Sequence, residues 1–344
     1  MNSILIIRPS AIGDIIMASP IIRVLREAYP QAHIAWLIEP SAEDLLCHNQ
    51  GLSELICWPK NRWKRLLRER RVLLLKDEVT KFTRQLRVRE FDLALDIQGL
   101  FRSRLLARLS GARERIGFES KEPGRFLMTR ISSRGPHSGI MGSEYHYMME
   151  TIGLSPGDFH PEITLSPDDE KTGDSMVEAL NIGDRYAVFA PFTTRPQKHW
   201  FKERWAILAG LIRKYLDLPV ILLGGKDDLK QAELIEMMAD KNLINFTGKT
   251  SLGQGAAIIK KASLLVGVDT GLTHMGAAFD CPTIALFGAT CPYLNTAGHK
   301  TFVIYNEKPC SPCRRSPVCN GDYACMKSIE TKQVLDAAIK MFEA

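Results

Sequence analysis

The stretch from Leu264 to Phe287, LLVGVDTGLTHMGAAFDCPTIALF, constrains the fold more than any other in this 344-residue chain. Leu264 to Val268 is an apolar run of strand length. Leu272 to Phe279 then carries apolar residues at helical spacing, with Thr270 or Thr273 available to cap it and Cys281-Pro282 to stop it. Asp269-Thr270-Gly271 is therefore a strand-to-helix loop at the carboxyl end of a parallel strand. A helix start there offers unpaired N–H groups and the positive end of its dipole, and Gly271 leaves room for a ligand at the backbone. An anion, above all a phosphate, suits such a loop. The same residues also suit a purely structural turn, with Thr270 capping the helix and His274 packed in its first turn.

The pattern repeats along the chain. Ile4 to Ile7 reads as a buried strand, Arg8 to Gly13 as a loop, Ile15 to Ala28 as a helix ended by Pro30, and Ile34 to Ile38 as a second strand. This βαβ unit opens a parallel sheet. Its loop, RPSAIGD (Arg8 to Asp14), has only Gly13 and so is not the G-x-G-x-x-G fingerprint of nicotinamide enzymes. Asp14 is either a helix N-cap or a carboxylate with chemistry to do. Phe91 to Asp96 is a further strand, leading through IQGLFRS into a helical Leu105 to Leu109. In the second half, Tyr186 to Ala190 is a strand, Thr193 to Trp200 its loop and Phe201 to Tyr215 an amphipathic helix. Thr193, Thr194 and Lys198 place two hydroxyls and a cation at a strand's carboxyl end, a set that suits a diphosphate. Val220 to Leu223 ends in Gly224-Gly225-Lys226-Asp227-Asp228, where one of the two Asp residues can accept hydrogen bonds from ribose hydroxyls or cap a helix.

The fold class is α/β, and the length asks for two cores. From about Ser155 to Arg185 the apolar pattern gives way to Gly, Pro, Asp and Ser. This divides the chain into a first domain (1–160), a linker containing the first helix of the second domain (161–185), a second domain (186–325) and a closing helix (326–344, amphipathic from Thr331 to Glu343). The N-terminus has no signal-peptide pattern and no apolar run reaches membrane-spanning length, so the expected location is cytoplasmic. The formal net charge of +6 is concentrated: Lys60 to Arg89 holds twelve Lys/Arg against three Asp/Glu. Nucleic acid, anionic lipid and a phosphorylated glycan would all answer that charge. No nucleic-acid-binding module accompanies it, and nucleic acid is not the expected partner.

Of eight cysteines, Cys47, Cys57, Cys281 and Cys291 are scattered and read as small hydrophobes. Cys310, Cys313, Cys319 and Cys325 cluster. They could form a structural zinc site, two disulfides or a set of reduced thiols, although the second pair lacks the C-x2-C spacing of the first.

Four segments together resemble glycosyltransferase family 9, the bacterial heptosyltransferases: DTGLTH (Asp269 to His274), RPSAIGD, DIQGL (Asp96 to Leu100) and TTRPQKHW (Thr193 to Trp200). They cover nearly the whole chain in the family's order. The resemblance implies a GT-B fold, two Rossmann-like domains facing across a cleft, with the acceptor on the first domain and the donor on the second. It implies an inverting, metal-independent transfer from ADP-heptose to the lipopolysaccharide inner core at the inner face of the inner membrane, with no required cofactor. Asp14 matches the family's proposed general base and Lys198 its charge on the leaving diphosphate. The donor set becomes Thr193, Thr194, Lys198, Asp227 (or Asp228), Asp269, Thr270, Gly271 and His274, with Thr250, Ser251 and Leu252 bordering the adenine. The family's Glu near the ribose is Asp here, and Thr250 stands where relatives have Met. The acceptor set becomes Ser10, Gly13, Arg62, Lys64, Arg65 and Lys121. The closing helix is expected to pack back across the first domain. A related enzyme using another nucleotide sugar, a nucleotide-sugar epimerase and a non-catalytic anion-binding protein are the alternatives.

Overall fold

The computed structural model describes residues 1–136, 139–290, 300–313 and 316–343. It divides into two compact units, Met1–Ser138 with Gly142–Phe159, and Gly139–Met141 with His160–Ala344.

The first unit holds a six-stranded sheet of β1 (Ser3–Ile7), β2 (His33–Ile38), β3 (Glu54–Cys57), β4 (Leu93–Asp96), β5 (Glu114–Phe118) and β6 (Arg130–Ser132). Every pairing is parallel, in the order β3-β2-β1-β4-β5-β6. All five residues of β1 are buried, as a strand covered by helices on both faces requires. The second unit repeats the arrangement with β7 (Ala187–Ala190), β8 (Val220–Leu222), β9 (Leu243–Asn245), β10 (Leu264–Val268), β11 (Thr283–Phe287) and β12 (Thr301–Tyr305), in the order β12-β11-β10-β7-β8-β9. Counted from each unit's own first strand, the two orders are identical. In each, the order reverses beside the first strand: between β1 and β4, and between β7 and β10. Ligands of open α/β sheets bind at that crevice, outside the carboxyl ends of the strands. RPSAIGD follows β1, DIQGL begins at the end of β4, TTRPQKHW follows β7 and DTGLTH follows β10.

Several expectations need correction. The helix expected from Ile15 to Ala28 is two, Ile12–Ala18 and Pro20–Ala28. Pro20 has no N–H to continue the first helix, and the Ser19 hydroxyl turns back to the Ile16 carbonyl at 2.7 Å. The helix expected within 161–185 is Pro167–Glu178, the first of the second unit, capped by the Ser166 hydroxyl, which accepts from the Asp169 N–H at 2.9 Å. It packs on the helix Leu252–Lys261, and Lys260–Glu170 and Lys261–Asp174 pairs, each 2.6 Å, tie the two together. The closing helix Thr331–Glu343 packs in the second unit's core. Val334, Leu335, Ala337 and Ala338 form a buried stripe against the helix Lys202–Leu216. Cys47 is exposed, because Leu45 and Leu46 take the buried positions beside it; Cys281 is buried, and Cys291 lies outside the described residues.

Candidate functional site

The second unit's switch point gathers its polar groups on Asp269. Lys198, at the end of the short turn Pro196–Lys198, sets its Nζ 2.6 Å from Asp269 Oδ2. The Thr290 hydroxyl donates to the same oxygen at 2.6 Å, and His274 Nε2 lies 3.4 Å from Oδ1. Thr193 Oγ1 donates to the Asp269 carbonyl at 3.4 Å. Burial alone would raise the Asp269 carboxyl. The hydrogen bond and charge of His274, together with Lys198, outweigh it and hold the group well below the usual carboxylate range. Asp269 is therefore a fixed anion that organises a cation and two hydroxyls.

Close packing sets the height of the helix behind this cluster. Thr270 occupies the N-cap position of Gly271–Ala278, but its side chain makes no capping bond, so the first turn's N–H groups are left to face the crevice. The Thr273 hydroxyl instead donates backward to the Val268 carbonyl at 2.6 Å. A Cβ on Gly267 would stand 2.1 Å from Thr273 Oγ1, so only glycine in β10 lets the helix lie this close. His274 is buried in the first turn, as the structural reading expected, and still faces Asp269.

The other donor residues separate into occupied and unoccupied groups. Asp228 is committed to structure, its Oδ2 accepting from the Gly225 N–H at 2.9 Å. Asp227 is exposed and has no hydrogen bond or ion pair among the described residues, so of the two it is the one available to a ribose. Ser251 caps the helix Leu252–Lys261 in a reciprocal box with Gln254, at 3.1 and 3.0 Å. Both its hydroxyl and its N–H are used, which leaves Thr250 and Leu252, each half-buried, as the open groups of that loop. Thr194 is exposed.

In the first unit, Asp14 is not an N-cap. It is the third residue of Ile12–Ala18, and its Oδ2 accepts from the Ala11 N–H at 3.4 Å. The same oxygen is paired with Arg8 Nη2, while Arg8 Nη1 donates to the Ile97 carbonyl at 2.8 Å. Arg8 is buried and Asp14 is 39% exposed, so the carboxylate is held from below and open above. Ser10 and Gly13 flank it, both partly exposed. Asp96 ends β4 fully buried; its Oδ1 accepts from the N–H groups of Gln98 and Gly99 at 3.1 Å each. Burial raises this carboxyl despite those bonds. Arg62 pairs with Glu78 at 2.6 Å, whereas Lys64, Arg65 and Lys121 are exposed and unpaired among the described residues.

Arg8, Asp96 and Thr290 are the members that sequence reasoning left without a role. Arg8 and Asp96 had a signal, each being a charged residue at the end of an apolar strand. Thr290 had none, since its partner lies 21 positions away.

The four clustered cysteines are all free thiols. Burial raises Cys313 and Cys325, and neighbouring thiols of the set add to it: Cys319 and Cys310 for the former, Cys313 and Cys310 for the latter. They share a neighbourhood, yet among the described residues no three His, Cys, Asp or Glu side chains are disposed to hold a metal ion. No helix among the described residues is long and apolar enough to cross a membrane.

Comparison with known proteins identifies relatives along most of the chain. The chain is 26% identical over 303 residues to the lipopolysaccharide core heptosyltransferase OpsX of Haemophilus influenzae, covering 86% of this chain and 82% of that one. It is 27% identical over 295 residues to lipopolysaccharide heptosyltransferase 1 of Escherichia coli K12, covering 85% and 89%. The crystal structure of a family 9 glycosyl transferase from Veillonella parvula superposes with a TM-score of 0.86 at 22% identity, over 100% of this chain and 98% of that one, and shows the GT-B fold. The family model described as glycosyltransferase family 9 (heptosyltransferase) matches residues 79–324, and the chain belongs to that family of glycosyltransferases.

Proposed function

We propose that this protein moves heptose from ADP-heptose to the inner core of a lipopolysaccharide precursor, with inversion at the anomeric carbon. The observation that carries the reading is the Asp269–Lys198–Thr193 cluster at the head of Gly271–Ala278, a cation, hydroxyls and helix N–H groups at one switch point. The diphosphate of the donor meets Lys198, Thr193, Thr194 and the N–H groups after Thr270. Asp227 takes the ribose hydroxyls, and Thr250 and Leu252 border the adenine. Asp14 accepts the proton of the acceptor hydroxyl as its oxygen bonds to the anomeric carbon. The bond from that carbon to the β-phosphate oxygen breaks, and its electron pair leaves with ADP. Lys198 and the helix N-terminus stabilise the charge that grows on the diphosphate, the part a divalent cation plays in other transferases.

Arg62, Lys64, Arg65 and Lys121 are assigned to the phosphates and acidic sugars of the acceptor. Arg62 must leave Glu78 to take part; Lys64 and Arg65 are ready. The place of action is the cytoplasmic face of the inner membrane, where such an acceptor is presented. The cysteine cluster enters no step.

The test is a product assay by mass spectrometry with purified protein, a heptose-deficient lipopolysaccharide acceptor, and ADP-heptose beside GDP- and UDP-sugars. Heptosylated product from ADP-heptose is expected, and replacing Arg62, Lys64 and Arg65 together by Ala should raise the acceptor KM while leaving ADP affinity unchanged. A faster reaction with GDP- or UDP-sugars would keep the family and overturn the donor.

A further inference from the structure

Two helices of the first unit, Lys60–Arg68 and Val72–Arg87, form an antiparallel hairpin. Arg62 Nη2 donates to Glu78 Oε1 at 2.6 Å, and the Trp63 and Phe82 rings meet edge-on at 5.4 Å. Leu66, Phe82 and Leu86 anchor the hairpin in the core. Nearer the turn the packing stops, and no residue from Leu67 to Lys81 is buried. The second helix ends by the sheet's amino edge, where Arg89 Nε donates to Glu54 at the start of β3, 2.6 Å away. A crossover to parallel β4 runs opposite to the strands, so the turn projects on the side of their carboxyl ends, the side of Arg8 and Asp14.

The exposed turn is apolar at its point and basic around it. Leu67 is 62% exposed, Val72 60%, Leu73 79% and Leu74 45%. Lys64, Arg65, Arg68, Arg70 and Arg71 surround them, with Glu69 as the only acid between Lys60 and Lys76. Four large apolar side chains within eight residues, all exposed at the turn of the hairpin, are a candidate interaction surface. Cations alone would serve nucleic acid, but that partner leaves the leucines wet. An anionic bilayer answers both halves, because apolar side chains enter the boundary between headgroups and acyl chains while arginines meet lipid phosphates.

We propose that the tip of this hairpin, Leu67 to Leu74, docks the protein on an anionic membrane surface. The proposal deepens the membrane part of the function above and rests on it for the place of action, but its test needs neither donor nor acceptor.

The experiment is co-sedimentation of the full chain with vesicles of phosphatidylcholine containing a quarter phosphatidylglycerol, and with phosphatidylcholine alone. Binding to the anionic vesicles is expected, weakening as salt rises. The double variant Leu73→Ser/Leu74→Ser should lower the partition coefficient about tenfold, since the apolar surface it removes no longer leaves water. Both side chains are exposed, so ADP affinity should stay at the wild-type value and verify the fold. A single Leu73→Trp should shift its fluorescence to the blue on anionic vesicles. Wild-type partition of the serine variant, or equal binding of the wild type to uncharged vesicles, would overturn the proposal. So would an RNA duplex that displaces the vesicles and binds the serine variant as tightly as the wild type. Vesicle binding without turnover would overturn the transfer reaction and leave the docking surface standing; turnover on a detergent-dispersed acceptor without vesicle binding would do the reverse.

Discussion

The buried Arg8 guanidinium holds Asp14 through Nη2 while its Nη1 donates to the Ile97 carbonyl at 2.8 Å. One side chain thus joins the loop after β1 to the loop after β4, across the point where the strand order reverses. The carboxylate proposed as base is fixed on one side and leaves the other to substrate.

Asp14→Asn tests the base. The amide has nearly the same shape and cannot take the acceptor proton, so turnover should fall by about 10²–10⁴-fold. ADP affinity, measured by calorimetry, should not change, because Asp14 is assigned to the acceptor. A fully active variant removes Asp14 from the mechanism.

Arg8→Met tests the support beneath it. Losing buried hydrogen bonds from a charged donor should cost about 1.5–3 kcal/mol in urea unfolding. Turnover should fall along with stability, since Asp14 loses its tether. Arg8→Lys, which keeps the charge and loses the planar fork, should recover only part of either. Wild-type stability of the methionine variant would show the tether to be idle.

Asp269→Asn should make stability depend on pH in a particular direction. The folded carboxyl titrates below its unfolded value of about 4, so the ionised cluster contributes stability above that pH and loses it as pH falls through the folded value. The wild type should therefore exceed the variant by roughly 2 kcal/mol above about pH 5, less than a fully buried pair because Lys198 and Asp269 keep some exposure. The gap in Tm should narrow in more acidic buffer. A gap that widened on acidification would contradict the assignment.

Gly267→Ala places a Cβ against Thr273 Oγ1 and 3.1 Å from Ala190 Cβ. Overpacking of this kind should cost about 1–3 kcal/mol. It should also weaken ADP binding, because the helix Gly271–Ala278 must shift outward. Thr273→Ala introduced into the same chain removes the nearer obstacle, and the pair should cost less than the sum of the two singles. Additive losses would mean that the helix height is set elsewhere.

Asp227→Ala and Asp228→Ala should part company. Asp228 supports the Gly225 N–H, and its loss should lower stability by about 1 kcal/mol, as lost caps do. Asp227 makes no structural bond among the described residues, so its loss should lower ADP affinity and leave Tm unchanged. The opposite outcome would move the ribose contact to Asp228.

Much of this was legible in the chain itself, for physical reasons. β10 and the helix Thr331–Glu343 were expected with the bounds they have, because an all-apolar run ending in Asp and a long amphipathic stripe have few other solutions. The loops after β1, β7 and β10 carried their charges within a few residues, and those after β1 and β10 a glycine as well. What stayed hidden depends on contacts distant in sequence. Nothing near Thr290 marks it as a partner of Asp269, and nothing in RPSAIGD says that Arg8 turns inward to reach Ile97. Choosing between Asp227 and Asp228 needed the Gly225 bond, and the fate of the closing helix needed the surface of Lys202–Leu216.

Both sheets wind in the same sequence around their own first strand, and each unit has its own hydrophobic core. Each therefore carries its crevice as a self-contained instrument. Substitutions around β7 and β10 act first on the core that Phe189 and Val266 share, and substitutions around β1 and β4 on the core that Leu5 and Ala94 share. A laboratory recombination joined at Phe159–His160, with Gly139–Met141 kept alongside the second half, would follow the same seam.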